Sequence, residues 1–491
     1  MNPSLSSVEP QFRRCVLLIL LYAIPGWLAF IPARVVDPDV WWHIRTGQWI
    51  AQHHWVPYTD WFSSYGLGKP WAAYSWLFEV LIYGLFSRLG LIGLLAYVYA
   101  MVLAITATLH SLVRKFENRV AYSVALTGLA LFAMAPLYTP RPWLFTILLF
   151  IIELNILISV RRSRRYRGLF LLPPLFALWA NLHIQFVLGF FVLGVAACEE
   201  PLARLLRRHQ MNGDQDRALP PLFMTLIALG CVVATLANPY HIKIYAVVVE
   251  LTRQAGFYNL INEFAAMDFR TIPEWLVLGL TLGATFALGR QRAVKPFWFL
   301  LLLAGMLISF RARRDLWFVV IIAVGIISSS RSAALVGSRY ILGRAQTLVV
   351  IAALGILLLL TFRAKHISEG ELQVAVASSY PARAASLVEE RGYAGPLYNH
   401  LDWGGYLIWR LPQLPVSIDG RTNIYGVDRV AHSVMVWNGQ PEWASDTELN
   451  AAGVVIAQRD FALTQLLRLD PRFQLVYEDQ VAVVFIAKTK G

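Results

Sequence analysis

The sequence predicts a polytopic α-helical membrane protein that ends in a small α/β soluble domain. Three observations predict it. Of 491 residues, 57% are hydrophobic and only 15% are charged, with a mean hydropathy of +0.54. A soluble domain is about 45–50% apolar and about 25% charged, so an ordinary soluble enzyme, a disordered chain and a disulfide scaffold are excluded. The apolar residues fall into runs near the ~20-residue length that crosses a bilayer. Charge is divided along the chain: residues 1–362 hold 31 of the 43 Lys and Arg and 16 of the 30 Asp and Glu, a net +15, and residues 363–491 carry −2. The +13 total therefore belongs to basic loops between helices, not to a nucleic-acid-binding domain.

The runs lie near residues 15–33, 91–112, 120–137, 143–160, 221–237, 274–289, 296–310, 316–330 and 346–362. Residues 168–199 are too long for one helix, and Asn181 and His183 interrupt them, so they read as two short crossings. The first run follows Arg13 and Arg14 without a small-residue cleavage site, and reads as a retained helix. Residues 71–89 carry Glu79 and many aromatics, and read as an interfacial helix. With Arg13 and Arg14 inside and 71–89 not crossing, Arg114, Lys115, Arg161, Arg162, Arg164, Arg165 and Arg167 all fall inside. So do Arg204, Arg207, Arg208, Arg290, Arg292, Lys295, Arg331, Arg339 and Arg344. About eleven crossings result. Residues 1–362 form the membrane domain, with a first outer loop at 34–70, and residues 363–491 lie outside. Cys15, Cys198 and Cys231 sit in or beside apolar runs without metal spacing and read as small hydrophobes.

Within 363–491, a helix is expected at 382–390, a strand at 396–400 and a helix over WGGYLIWRL. A strand at 415–419 ending at Gly420, a strand at 452–458, a helix over DFALTQLLRL and two closing strands complete an α/β pattern.

On this map the outer face collects residues 34–70, 138–141, 181–185, 238–270 and 311–315. Arg311, Arg313 and Arg314 break the inside rule. Arginine forks hold phosphate, and a lipid-linked phosphate is the anion at that depth. In the first outer loop Asp37 and Asp39 flank Pro38 directly after the first helix. Two carboxylates so spaced can share a divalent cation such as Mg or Mn, or one can act as a base. Asp39 also stands where a residue would cap a helix starting at Val40. Trp42, His43 and Arg45 follow at helical spacing, and Asp60 offers another acid. Trp41, Trp42, Trp55 and Trp61 read as an interfacial belt. Asn181 and His183 are polar at membrane depth, where such groups usually face a cavity. His241 reads as a turn residue, and Glu153 and Asn155 as contacts between helices. His400, Asp402, Asp419 and Arg421 stand at strand ends, in the turn-forming contexts DWGG and IDGR.

By layout over about residues 10–362, and by Asp37-Pro38-Asp39 in its first outer loop, the sequence resembles the GT-C membrane glycosyltransferases. These include oligosaccharyltransferases, protein O-mannosyltransferases and lipid A aminoarabinose transferases. Lys69-Pro70 is similar to a lysine–proline element of some members. The segment LYNHLDWGGYLIWRLPQLPVSIDGRTNIYG looks like a bacterial membrane-protein signature to which no role attaches. The Trp-Trp-Asp-Tyr-Gly motif of oligosaccharyltransferases is missing, so peptide sequon recognition is not expected. The resemblance implies a polyprenyl-phosphate-sugar donor and a hexosyl or pentosyl transfer in cell-envelope polysaccharide biosynthesis, on the outer side of a bacterial inner membrane. The acceptor would be a glycan, a lipid or a protein. Asp37 or Asp39 would take the acceptor proton, and Arg311, Arg313, Arg314, Arg141 and Lys69 would hold the departing phosphate. Trp42, His43, Arg45, Asp60, Asn181 and His183 would contact substrate, and the aromatics around Trp71 and Trp76 the isoprenoid tail. The competing readings are a transporter or flippase for a lipid-linked or anionic substrate, which predicts an internal repeat that is not seen, and a non-catalytic envelope-assembly protein.

Overall fold

The computed structural model describes residues 11–205, 218–253, 256–257, 260–291, 295–330 and 342–488. Arg207, Arg208, Arg292, Arg331 and Arg339, assigned above to inner loops, lie outside the described residues. The chain opens with α1 (Gln11–Ala29), a 3₁₀ turn at Pro32–Val35 and α2 (Val40–His53). It continues through α3 (Trp76–Arg114), α4 (Val120–Ala133), α5 (Trp143–Ser163), α6 (Leu172–Leu182), α7 (Val187–Leu205), α8 (Pro221–Thr235) and α9 (Lys243–Arg253). Then come α10 (Ile272–Gly289), α11 (Pro296–Arg311), α12 (Leu316–Ser329) and α13 (Arg344–Ala364).

The protein is an integral membrane protein. Eleven helices coincide with the eleven apolar runs. Among the described residues, six segments are long and apolar enough to cross a bilayer unaided: Gln11–Ala29, Trp76–Arg114, Trp143–Ser163, Ile184–Arg204, Ile272–Gly289 and Arg344–Ala364. Helices α4, α8 and α11 are apolar but shorter, so the count of eleven crossings goes beyond what helix length supports. Burial sorts the helices by place. Helix α12 is apolar all round and buried along nearly its whole length, as a central helix must be. Helix α13 is apolar through its middle, yet Val350 alone of its residues is buried, which suits a helix facing lipid.

Helix α3 is two helices merged across Gly90, whose φ of 61° is in the left-handed region that glycine adopts freely. Residues 76–89 are only about 21 Å long at the α-helical rise and bury Phe78, Glu79 and Ile82. At the break, the Glu369 carboxylate accepts from the backbone N–H groups of Leu91 (3.1 Å) and Ile92 (3.3 Å). A carboxylate is favoured at such a helix start.

Beyond α13 lie α14 (Glu369–Ala377), α15 (Ala382–Arg391), β1 (Leu397–Asn399), α16 (Leu401–Arg410), α17 (Thr422–Trp437), α18 (Thr447–Ala451), β2 (Val454–Gln458), α19 (Ala462–Leu469), β3 (Phe473–Glu478) and β4 (Ala482–Ala487). The sheet order is β1-β2-β4-β3. Strands β1 and β2 are parallel, and the other pairs are antiparallel. The strand expected at 415–419 is corrected. Val416 is extended, but it pairs with the first loop, accepting from Ser64 N (2.9 Å) and donating to Phe62 O (3.1 Å). Asn399 and Ser417 satisfy each other's polar groups beside it. Helix α17 is a further element that the sequence reading left out.

Candidate active site

The last residues before α2 set the geometry. Pro38 stiffens the dipeptide link, and Asp37 Oδ1 accepts from Asp39 N at 3.0 Å. Asp39 occupies the helix-cap position but makes no capping bond. Its carboxylate turns instead toward Arg141, between α4 and α5. Arg141 Nε donates to Asp37 Oδ1 at 2.6 Å, and its Nη1 pairs with Asp39 Oδ2. Nη2 stands 3.7 Å from Glu263. Burial works against the charge on Arg141, but Asp37, Asp39 and Glu263 outweigh it and raise its pKa further. Burial pushes Asp39 up to about 7 against the pull of Arg141, with Glu263 and Asp37 adding to the rise.

These groups line one cavity of about 590 Å³. One turn after Asp39, His43 Nδ1 meets Glu79 Oε1 at 3.1 Å, both side chains being buried. Burial first, then the charges of Arg141 and His183, hold the His43 pKa well below its usual value, so its ring is neutral. His183 Nδ1 bonds Thr146 Oγ1 at 2.8 Å, and that hydroxyl also accepts from Trp179 Nε1 at 2.9 Å. Across the cavity stands Arg314. Its guanidinium lies 4.0 Å above the Phe264 ring, and its Nε is buried without a hydrogen-bond partner. Arg314 has no ion pair among the described residues. Leu137, Trp143, Leu251, Ile261 and Leu316 add apolar surface to the lining, beside polar groups such as Thr139, Asn262 and Glu274.

The C-terminal segment closes the site. Gly420 lies so near Asp39 that a Cβ there would sit 1.9 Å from its Oδ1. Asp402, Arg421, Thr422 and Asn423 line the same cavity.

Of the residues singled out from sequence, the cavity brings together Asp37, Asp39, Trp42, His43, Trp71, Arg141, His183, Arg313, Arg314, Asp402 and Arg421. Arg313 is engaged by Asp268 (2.9 Å) and Glu274 (3.4 Å). Arg311 is exposed and off the cavity wall. Lys69 is also off it, with Nζ 3.2 Å above the Tyr65 ring. Arg45 donates to Gln48 at 2.5 Å and lies over Trp61. Asn181 accepts from Trp76 Nε1 at 2.7 Å and ties it to Ala177 and Ala237. Trp41 packs edge-on against Tyr380 and Tyr406, and Trp55 is exposed. Asp60 is fully buried, accepting from Ser63 Oγ (2.5 Å) and Arg421 Nη1 (2.6 Å). Glu79, Glu263, Glu274 and Gly420 are the site residues that sequence reasoning missed. Glu79 carries a signal that sequence can show, a carboxylate within an apolar segment.

An acidic pair in this place invites a divalent ion, but these residues do not fit one. An oxygen of each aspartate is taken by Arg141. Among the described residues no group of three or more His, Cys, Asp or Glu side chains converges as metal ligands.

No family model matches the chain, and no curated protein does. Solved structures do. ArnT from Cupriavidus metallidurans, bound to undecaprenyl phosphate, aligns with 97% of this chain and 98% of its own at 13% identity and a TM-score of 0.52. Its apo state aligns at 15% identity and 0.50, covering 96% and 97%. The oligosaccharyltransferase AglB from Archaeoglobus fulgidus, in complex with an inhibitory peptide and a dolichol-phosphate, aligns with 92% of this chain and 70% of its own at 8% identity and 0.57. At such identities the likeness is one of fold. The chain shares the fold of these solved structures, in keeping with the resemblance drawn from the layout of its helices and first loop.

Proposed function

We propose that the protein is a membrane glycosyltransferase that moves a sugar from a polyprenyl-phosphate donor to an acceptor hydroxyl on the outer side of the bacterial inner membrane, where residues 363–491 also lie. The observation that carries this reading is Arg314. It is a half-buried arginine with no ion pair among the described residues, and it lines the same cavity as the two aspartates. A partly buried cation without an ion pair is costly, and a phosphate supplies one. ArnT, which shares the fold, binds undecaprenyl phosphate. Lying off the cavity wall, Lys69 and Arg311 drop out of the phosphate set.

In the transfer, the acceptor oxygen bonds to the anomeric carbon while the bond from that carbon to the phosphate oxygen breaks. The electron pair leaves with the polyprenyl phosphate, and Asp39 takes the hydroxyl proton. Arg314, with Arg313 behind it, meets the charge growing on the departing phosphate. His43, oriented by Glu79, and His183 offer hydrogen bonds to sugar hydroxyls.

The test is release of polyprenyl phosphate from synthetic polyprenyl-phosphate hexoses and pentoses by the purified protein. Arg314→Ala should lower kcat/KM by roughly 100-fold or more, the scale of losing one donor to a developing oxyanion. No turnover by the wild type, or full turnover by the variant, refutes the reading.

A further inference from the structure

We infer that Arg141 is the resident cation of this site: its guanidinium stands between Asp37 and Asp39 where a divalent metal would otherwise be required, and the reaction needs no metal ion. The inference deepens the function proposed above and rests on it for its turnover arm alone.

Two buried carboxylates one residue apart repel each other, and both need a counter-charge. A metal ion is one answer. A planar guanidinium with five N–H donors is another, because it can serve two carboxylates at once. Here Nε serves Asp37 at 2.6 Å and Nη1 serves Asp39, with Nη2 3.7 Å from Glu263. Three acids thus share one arginine, whose side chain is 9% exposed.

The arginine is also held in place. It sits between Pro140 and Pro142, each of which fixes its own φ. Its N–H donates to Thr139 O at 2.7 Å, its carbonyl accepts from Tyr97 Oη at 2.9 Å, and Trp143 flanks its guanidinium at 4.9 Å. A metal could enter only by prising the guanidinium from both aspartates, which would leave a buried arginine unpaired. Glu263 stands 3.7 Å from the guanidinium as a third carboxylate, but among the described residues no three His, Cys, Asp or Glu side chains are placed to hold an ion.

Arg141 is therefore a positioning residue, acting through the aspartates. Three measurements on the purified full-length protein test this. Electron paramagnetic resonance of added Mn²⁺ should show the ion free in the presence of wild type. Donor turnover should not fall after EDTA treatment. Arg141→Ala should lose roughly 100-fold in kcat and regain part of it with added guanidinium, which a merely structural role would not allow. A wild-type Mn²⁺ site that disappears in Asp39→Asn overturns the inference. So does turnover lost to EDTA and restored by Mg²⁺ or Mn²⁺. The Mn²⁺ measurement involves no donor, so it stands even if the proposed function fails. The wild-type arms likewise stand if Arg141→Ala does not fold.

Discussion

Asp39 is held between opposing effects. Burial pushes its proton affinity up and Arg141 pulls it down, leaving a carboxyl near 7. As the proposed base Asp39 must be unprotonated to act, so turnover should rise with pH through about 7 and fade below it. A pH–rate profile of kcat/KM checks this, and a flat profile from pH 5 to 8 would refute it. Asp39→Asn should lose roughly 10²–10⁴ in kcat, the usual worth of a positioned base. Asp37→Asn should cost less, because Asp37 holds Asp39 N and Arg141 and need not touch the acceptor. The acidic pair was legible in sequence because it stands directly after the first apolar run. Arg141 was legible as an outer cation, but its partners were not. They lie 104 and 102 residues away, and no local spacing encodes such a distance.

Elements show a similar division. Apolar runs foretold the membrane helices because length and hydropathy alone decide them. The break at Gly90 is subtler: glycine permits it, and a carboxylate 278 residues on caps the new helix start. The segment 415–419 has the composition of a strand, and its partner proved to be the first loop. Helix α17 escaped notice because Gly426, at φ 74°, splits its pattern. The turn contexts DWGG and IDGR gave no hint that their glycines are spacers. A Cβ at Gly405 would sit 2.2 Å from Pro38 O, and Gly420 abuts Asp39 itself. Gly420→Ala should lower stability by about 1–3 kcal/mol, as overpacking does, and abolish turnover by driving the loop off Asp39. Thermal unfolding and donor turnover measured together check it. Unchanged turnover would mean that the loop does not hold the carboxylate.

At the scale of the molecule, a buried ionic cluster joins the two regions. Arg421 donates to Asp60 of the first loop at 2.6 Å and grips Asp419 with two bonds, at 2.8 and 2.6 Å. Tyr425 Oη adds a bond to Asp419 at 2.5 Å, and Phe62 and Trp71 lie against the guanidinium, each centroid 4.8 Å from it. Removing one member of a fully buried pair costs about 3–5 kcal/mol. Arg421→Ala should therefore loosen residues 363–491 from the membrane region, seen as faster proteolysis between them, and an unchanged cleavage rate would argue against such a clasp. The proposed orientation has its own check in the exposed positions Arg270 and Arg165. Cysteine at 270 should react with an impermeant reagent from outside, and cysteine at 165 only after the membrane is opened.

The contact between Gly420 and Asp39 also has a consequence in time. The ribosome delivers the acidic pair to the membrane about 380 residues before it makes Gly420, and N-terminal parts of a chain fold first. A half-made chain thus carries its aspartates without the wall that closes over them. On the function proposed above, turnover would begin only once residues 363–491 dock and bring Gly420 against Asp39. Separately expressed parts, divided near residue 366, should be inert alone and regain turnover when combined; activity in the first part alone would contradict this.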